Sequence, residues 1–383
     1  MSQYVNADRV AFSPSGRQRI SSAPDSNELP RVLPGVAQVV SVHKKSWLTR
    51  EQQFAAFSTG ALLDFWHQRE EGEFIGAQGM PIRFVRLRSA RHNKVIVIST
   101  GRIESYVKYP EVAYDLFHCG YDVMIIDHRG QGRSGRLLED THRGHVLQFG
   151  DYVSDFTQFW QQYVVPGRYK RRFALAHSMG GAVLALFLAA KPDACDAAVL
   201  CAPMFGIRLP MPHWLAWQIL EWTEQRPAMR DYYAIGTGQW RPLPFMLNML
   251  THSGQRYRRS LRFYADDPEL RVGGPTYHWV REGVLAGHDV LAKAADITTP
   301  LLLLQAGEDR IVDNHSHELF CQIMAAAGHP CEANKPVRIE GARHEILFEK
   351  DTLRAEALER ITAFFGRYHS ISGGVQPPIT PEV

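Results

Sequence analysis

The sequence predicts an α/β fold: a mostly parallel, doubly wound sheet carrying an inserted helical cap. Three observations predict it. Short β-branched or apolar runs alternate with stretches of helical spacing. One run, Phe173-Ala174-Leu175-Ala176, stops at His177-Ser178-Met179-Gly180-Gly181 and passes straight into a helix-forming stretch at 182–188. The alternation then breaks between residues 204 and 295, a block rich in Trp, Pro, Met and Arg with helical patterns only.

A chain of 383 residues with 45% hydrophobic and 22% charged residues has room for one large globular core. A net charge of +3 with no long Lys/Arg block argues against nucleic-acid binding. Five cysteines (119, 195, 201, 321, 331) without metal-like spacing read as free thiols of a reducing compartment, the first three set in or beside apolar runs. No stretch approaches the roughly 18–20 apolar residues of a membrane span, and no signal-peptide pattern opens the chain.

In chain order, residues 1–44, rich in Ser, Asn, Pro and Arg, read as a mobile extension. Residues 47–69 form a short amphipathic lead-in with Phe54, Phe57, Leu62, Phe65 and Trp66. Residues 82–87 alternate apolar and charged, which predicts an edge strand with one wet face. Buried strands follow at 94–98 and 121–126, then a helix at 151–163 with Val153, Phe156, Phe159 and Trp160 on one face. After the 173–176 strand come strands at 197–201, 301–305 and 337–340 and a final helix near 346–368. The core is therefore assigned to 45–203 and 296–370, the cap to 204–295 and a mobile tail to 371–383. The Pro/Met/aromatic mixture of the cap suits an adaptable apolar cavity.

A serine lifted on a strand–turn–helix apex sits at a helix N-terminus, where free N–H groups favour a developing negative charge. The turn 176–180 has Ala176 where the G-x-S-x-G nucleophile elbow has its first glycine, and a plain serine N-cap would look the same. The partners decide. In the α/β-hydrolase fold an acid and a histidine follow the serine, each just after a late strand. The 301–305 strand leads into Ala306-Gly307-Glu308-Asp309-Arg310, and the 337–340 strand into Gly341-Ala342-Arg343-His344. Ser178 as nucleophile, His344 as base and Asp309 as its orienting acid satisfy both order and placement, with Glu308 and Asp313 as rivals for the acid. The oxyanion donors expected are the backbone N–H groups of Met179 and of Arg102, the latter on the loop after the 94–98 strand; the Arg102 side chain could also meet a phosphate.

Other patterns receive plainer readings. Gly130-Gln131-Gly132-Arg133-Ser134-Gly135 matches a dinucleotide fingerprint, but no helix opens at Gly135 and Asp151 starts a helix instead of ending a strand. The stretch is read as a tight loop beside the active site. His177 is the variable elbow residue, and His315 and His317 lack a third ligand for zinc. Arg256, Arg258, Arg259 and Arg262 read as a solvated helix face, with contact to anionic lipid or a substrate phosphate as the sharper alternative.

Asp127-His128-Arg129-Gly130-Gln131-Gly132-Arg133-Ser134-Gly135, Gly144-His145-Val146 and Ala176-His177-Ser178-Met179-Gly180-Gly181 together resemble the monoacylglycerol lipase/lysophospholipase branch of the α/β-hydrolases. The stretches 101–109, 262–268, 272–281 and 344–351 narrow the resemblance to its bacterial lysophospholipases, over roughly residues 45–368. The resemblance implies hydrolysis of the acyl ester of a lysophospholipid to a fatty acid and a glycerophosphodiester, without metal or cofactor, and allows acyl transfer to phosphatidylglycerol. It also implies a loosely attached protein at the cytoplasmic face of the inner membrane. One departure stands out: the branch carries His-Gly before the oxyanion donor, and here Thr100-Gly101 stands there. The alternatives are a monoacylglycerol lipase or a peptidase of the same fold, and a binding protein that kept the fold without catalysis. A free-amine substrate would need a carboxylate pair in the cap, and none is evident in the sequence.

Overall fold

The computed structural model describes Val40 and residues 43–370. Eight strands form one sheet: β1 (Glu70–Ile75), β2 (Pro81–Leu87), β3 (Lys94–Ser99), β4 (Asp122–Ile126), β5 (Arg171–His177), β6 (Ala197–Cys201), β7 (Leu301–Ala306) and β8 (Val337–Ile339). Their order is β1-β2-β4-β3-β5-β6-β7-β8. The β1–β2 and β2–β4 pairings are antiparallel and the rest are parallel. The expected mostly parallel, doubly wound sheet is what the chain forms.

One expectation fails at the sheet's edge. Residues 82–87 are a strand, but β1 pairs outside them and takes the edge. Only Phe74 of β1 is buried, so Glu70, Glu71 and Glu73 hide the strand from an apolar-alternation reading. Its Gly72 is demanded by packing: a Cβ there would stand 2.2 Å from the Phe84 ring.

The parallel strands are apolar on both faces, as a sheet covered on both sides requires. Val95, Val97, Ala174 and Ala176 face one layer, made by α2 (Phe149–Phe159), α3 (Met179–Ala190), α6 (Tyr277–Lys293) and α7 (Asn314–Ala326). Ile96, Ile98, Phe173 and Leu175 face the other, made by the lead-in helices Phe54–Thr59 and Ala61–Trp66, α1 (Pro110–His118) and α8 (Asp351–Arg367). The final helix starts later than the sequence suggests, because a 3-10 turn at Ile346–Phe348 precedes it.

Between β6 and β7 lie α4 (His213–Glu224), α5 (Gly254–Asp266) and α6, with no strand among them. Helix α6 also reaches into the core: Trp279, Ala286 and Val290 join the apolar layer, and a Cβ at Gly287 would stand 2.4 Å from Phe205 O. Arg256 of α5 corrects the reading of a solvated arginine face. It is buried and paired with Glu111 and Asp351, while Arg258 and Arg262 stay exposed. His43 and Lys44, placed by the sequence in the extension, are packed on the body through Asp115 and Thr362. Apart from Val40, the rest of the proposed extension lies outside the described residues, as does the tail 371–383.

Candidate active site

Strand β5 delivers His177 to the sheet's carboxyl edge, and Ser178 follows at φ 51°, ψ −119° before α3 begins. A non-glycine residue in that region is strained and must be held by its surroundings. Ser178 N–H donates to Cys201 O at 3.1 Å, and Ser178 O accepts from Met204 N at 2.9 Å. Gly180 is obligatory: a Cβ there would stand 2.3 Å from Ser99 O and 2.5 Å from Thr100 O. Helix α3 and the end of β3 thus approach too closely for any side chain at this position.

His344 Nε2 lies 2.9 Å from Ser178 Oγ, and His344 Nδ1 lies 2.8 Å from Asp309 Oδ2. The other Asp309 oxygen accepts from Ile311 N at 2.8 Å and Val312 N at 3.0 Å. Burial alone would raise the Asp309 carboxyl. The hydrogen bond and charge of His344 and the two N–H groups outweigh it and hold Asp309 below its ordinary value, as an anion at neutral pH. Both rivals are elsewhere. Glu308 is exposed and faces His252 at 3.5 Å, and Asp313 caps α7 through His315 N. A serine on a histidine on a buried carboxylate can move a proton off the hydroxyl as it attacks an acyl carbon.

The oxyanion loop, residues 99–104, commits its neighbouring donors and leaves one over. Gly101 N–H is taken by Glu104 Oε2 at 2.6 Å, and Ile103 N–H by Gln131 Oε1 at 3.2 Å. Arg102 N–H, between them, has no acceptor among the described residues. Met179 opens α3, so its N–H has no carbonyl within the helix to bond. These are the two donors expected from the sequence.

The Asp127–Gly135 loop supports this geometry, and no helix opens at Gly135, where a dinucleotide fingerprint would need one. Gln131 Nε2 donates to Gly101 O at 2.6 Å and Glu104 O at 2.8 Å. Asp127 accepts from Ser105 Oγ and Arg133 N, both at 2.7 Å. Arg129 is buried against Asp155 at 2.7 Å.

A second layer went unassigned in the sequence reading. His177 donates through Nε2 to His344 O at 3.1 Å, and its Nδ1 lies 3.2 Å from Glu104 Oε1. Glu104 also holds Lys108 Nζ at 2.9 Å and Tyr109 OH at 2.5 Å, and Lys108 bridges to Glu345, next to the base. Burial disfavours the His177 cation, but the charge and hydrogen bond of Glu104 outweigh it and raise His177 above its ordinary value. Burial likewise works against the Glu104 anion, and Lys108 and His177 reverse it. The network ties the oxyanion loop to the His344 loop. Its members are far apart in sequence, and only the chemistry-rich run 104–109 hinted at it.

Fold, elbow and the Ser–His–Asp line define a serine hydrolase of the α/β-hydrolase class. Residues 90–351 match the sequence family described as serine aminopeptidase, S33, and the chain belongs to that family. It is 62% identical over 330 residues to lysophospholipase L2 of Escherichia coli K12, covering 86% of this chain and 97% of the relative. It is 30% identical over 319 residues to a probable lysophospholipase L2 of Haemophilus influenzae, covering 83% and 98%. Among solved structures, a monoacylglycerol lipase from Paleococcus ferrophilus shares the fold, with a TM-score of 0.57, 15% identity and coverage of 75% of this chain and 99% of that one.

Proposed function

We propose that the chain is a lysophospholipase that works through an acyl-enzyme on Ser178. Ser178 Oγ attacks the acyl carbonyl as His344 takes its proton, and Asp309 holds the imidazole in the tautomer that accepts at Nε2. The Met179 and Arg102 N–H groups receive the oxyanion. The glycerophosphodiester leaves as an alcohol, protonated by His344, and water then releases the fatty acid. The observation that carries the chemistry is the unbroken line Asp309–His344–Ser178 at 2.8 and 2.9 Å. The likeness to the lysophospholipases L2 supports the substrate class. A peptidase reading is weaker: the cap carboxylates Glu221, Glu224 and Asp231 are already paired, with Arg281, His278 and Arg230.

The cap fits attachment to a membrane surface. Trp214, Trp222, Ile235, Leu243, Met246 and Leu247 are all exposed there. No helix among the described residues is long and apolar enough to cross a membrane.

The test is fatty-acid release from lysophosphatidylethanolamine and from a monoacylglycerol of the same acyl chain, with wild type and Ser178→Ala. Wild type is expected to favour the phospholipid, and the variant to lose at least about a thousandfold in kcat. Unchanged release by Ser178→Ala sinks the mechanism; preference for the monoacylglycerol moves the assignment to a neutral-lipid esterase.

A further inference from the structure

Arg102 supplies a backbone N–H to the oxyanion, yet its side chain is unusual in its own right. The guanidinium lies in the seam between core and cap. It donates once, from Nη1 to Gly273 O at 3.2 Å, and sits 5.2 Å from the Trp279 ring centroid. Among the described residues no carboxylate pairs with it. Burial pushes the group down to about 10, and the only neighbour acting the other way is the Tyr152 hydroxyl. Tyr152 is itself fixed by a 3.0 Å bond from Trp279 Nε1. The seam makes room for the cation: a Cβ at Gly144 would stand 2.8 Å from Nη1.

Contrast the buried cations near the site. Lys108 is held by Glu104 and Glu345, Arg129 by Asp155 and Asp151. A guanidinium that makes one hydrogen bond and has no carboxylate partner keeps donors free for an anion that arrives from outside. Its position sets the anion's place. On the proposed mechanism the Arg102 N–H meets the acyl carbonyl oxygen, and an extended arginine carries its guanidinium roughly 6–7 Å from its own backbone nitrogen, from bond lengths of about 1.5 Å. A glycerol backbone separates its acyl carbonyl from its phosphorus by a similar roughly 6–8 Å on the same bond lengths.

We propose that the Arg102 guanidinium is the phosphate subsite of this enzyme, forking onto the phosphodiester of a lysophospholipid while its own N–H serves the oxyanion. One residue then reads the two features that separate this substrate from a monoacylglycerol: an acyl ester, and an anion one glycerol away. The planar fork matches phosphate bidentately, which a lysine cannot do. Because the phosphate and not the alcohol beyond it is bound, head groups are discriminated little at this position. The inference rests on the lysophospholipase reading above.

The experiment measures kcat/KM on lysophosphatidylethanolamine, lysophosphatidylglycerol and a monoacylglycerol of one acyl chain, in the same mixed micelles, for wild type, Arg102→Gln and Arg102→Lys. The readout is the phospholipid-to-monoacylglycerol ratio, which a general disturbance of the oxyanion loop would not move. Fluorophosphonate labelling of Ser178 and a thermal melt establish that each variant is folded. The ratio is expected to fall about 10- to 100-fold in Arg102→Gln, equally for both phospholipids, mainly through KM, and by less in Arg102→Lys. A wild-type preference for phospholipid that Arg102→Gln leaves intact overturns the subsite alone. A wild type without that preference overturns the functional reading, and the subsite with it. Inhibition of monoacylglycerol hydrolysis by inorganic phosphate that vanishes in Arg102→Gln, with the ratio unmoved, would make this a free-anion site and overturn the head-group assignment.

Discussion

Ser178 holds a backbone conformation that costs roughly 1–3 kcal/mol, and Cys201 O and Met204 N pin it there. The base is pinned as deliberately. His344 is positioned through its ring by Asp309 and through its backbone carbonyl by His177. His177 does this as part of a buried pair with Glu104, whose stabilising effect depends on pH with a definite sign. His177 is raised above its ordinary value, so the pair's contribution is complete below the unfolded value of about 6.5 and is lost as pH rises through the folded value. Glu104 is depressed, so its side of the pair is present at every pH above its unfolded range. In thermal melts, His177→Asn is therefore expected to lie well below wild type near pH 6, with the gap narrowing as pH rises above that. A gap that does not change with pH would mean that His177 acts by packing alone.

At the scale of elements, the sequence is most informative where a strand ends in a chemically distinctive loop. Ser178, Asp309 and His344 each lie on the loop just after a strand, so their order and placement are visible without any contact being known. The strands β3 to β7 are visible because two covered faces confine polar residues to the strand ends. Strand β1 is not, because an edge strand that buries one residue has almost no pattern to read. Nor is the Glu104–His177–Lys108–Glu345 network, since Lys108 and Glu345 meet across 237 positions. The Pro/Met/aromatic mixture of the cap reads as the lining of a cavity, yet part of it is exposed. Segment 243–251 is anchored by Arg343 to Asn248 O, by Thr251 to Phe348 O and by Glu345 N to Leu250 O, so it rides on the His344 loop. Met246, 90% exposed, and Leu247 project from it into solvent, where only an apolar phase would reward them. Replacing both by Glu is expected to weaken cosedimentation with phosphatidylethanolamine/phosphatidylglycerol vesicles by about tenfold or more. Unchanged cosedimentation would remove this loop from the membrane-contacting surface.

Across the whole molecule, one buried ionic cluster joins parts of the chain that no single layer connects. Arg50 of the lead-in, Glu111 and Asp115 of α1, Arg256 of the cap helix α5, and Asp351 and Arg354 of α8 interlock: Arg256 Nη2 meets Glu111 Oε1 and Asp351 Oδ1, both at 2.8 Å, and Arg354 Nη1 meets Asp115 Oδ2 at 2.7 Å. Arg256 is the member that fastens the cap to the core, and it spends a further donor on Glu349 O. Such a cluster adds little over apolar packing while complete, but removing one partner strands the others, at about 3–5 kcal/mol. Arg256→Met keeps much of the stem's volume and takes away the charge, so the loss should appear in urea unfolding at neutral pH. The acid limb gives an independent check. Burial would raise Glu111, but Arg354 and Arg256 outweigh it and depress it to about 2, so its contribution is full above its unfolded value of about 4.3 and is lost as pH falls through the folded value. Wild type should therefore lose stability between about pH 4 and pH 2. Arg256→Met, with Glu111 less strongly held, should lose less stability across that range, because its contribution above pH 4 is already smaller. A variant that matches wild type on both axes would show that the cap is held by its apolar contacts, and that the ions merely fill the seam.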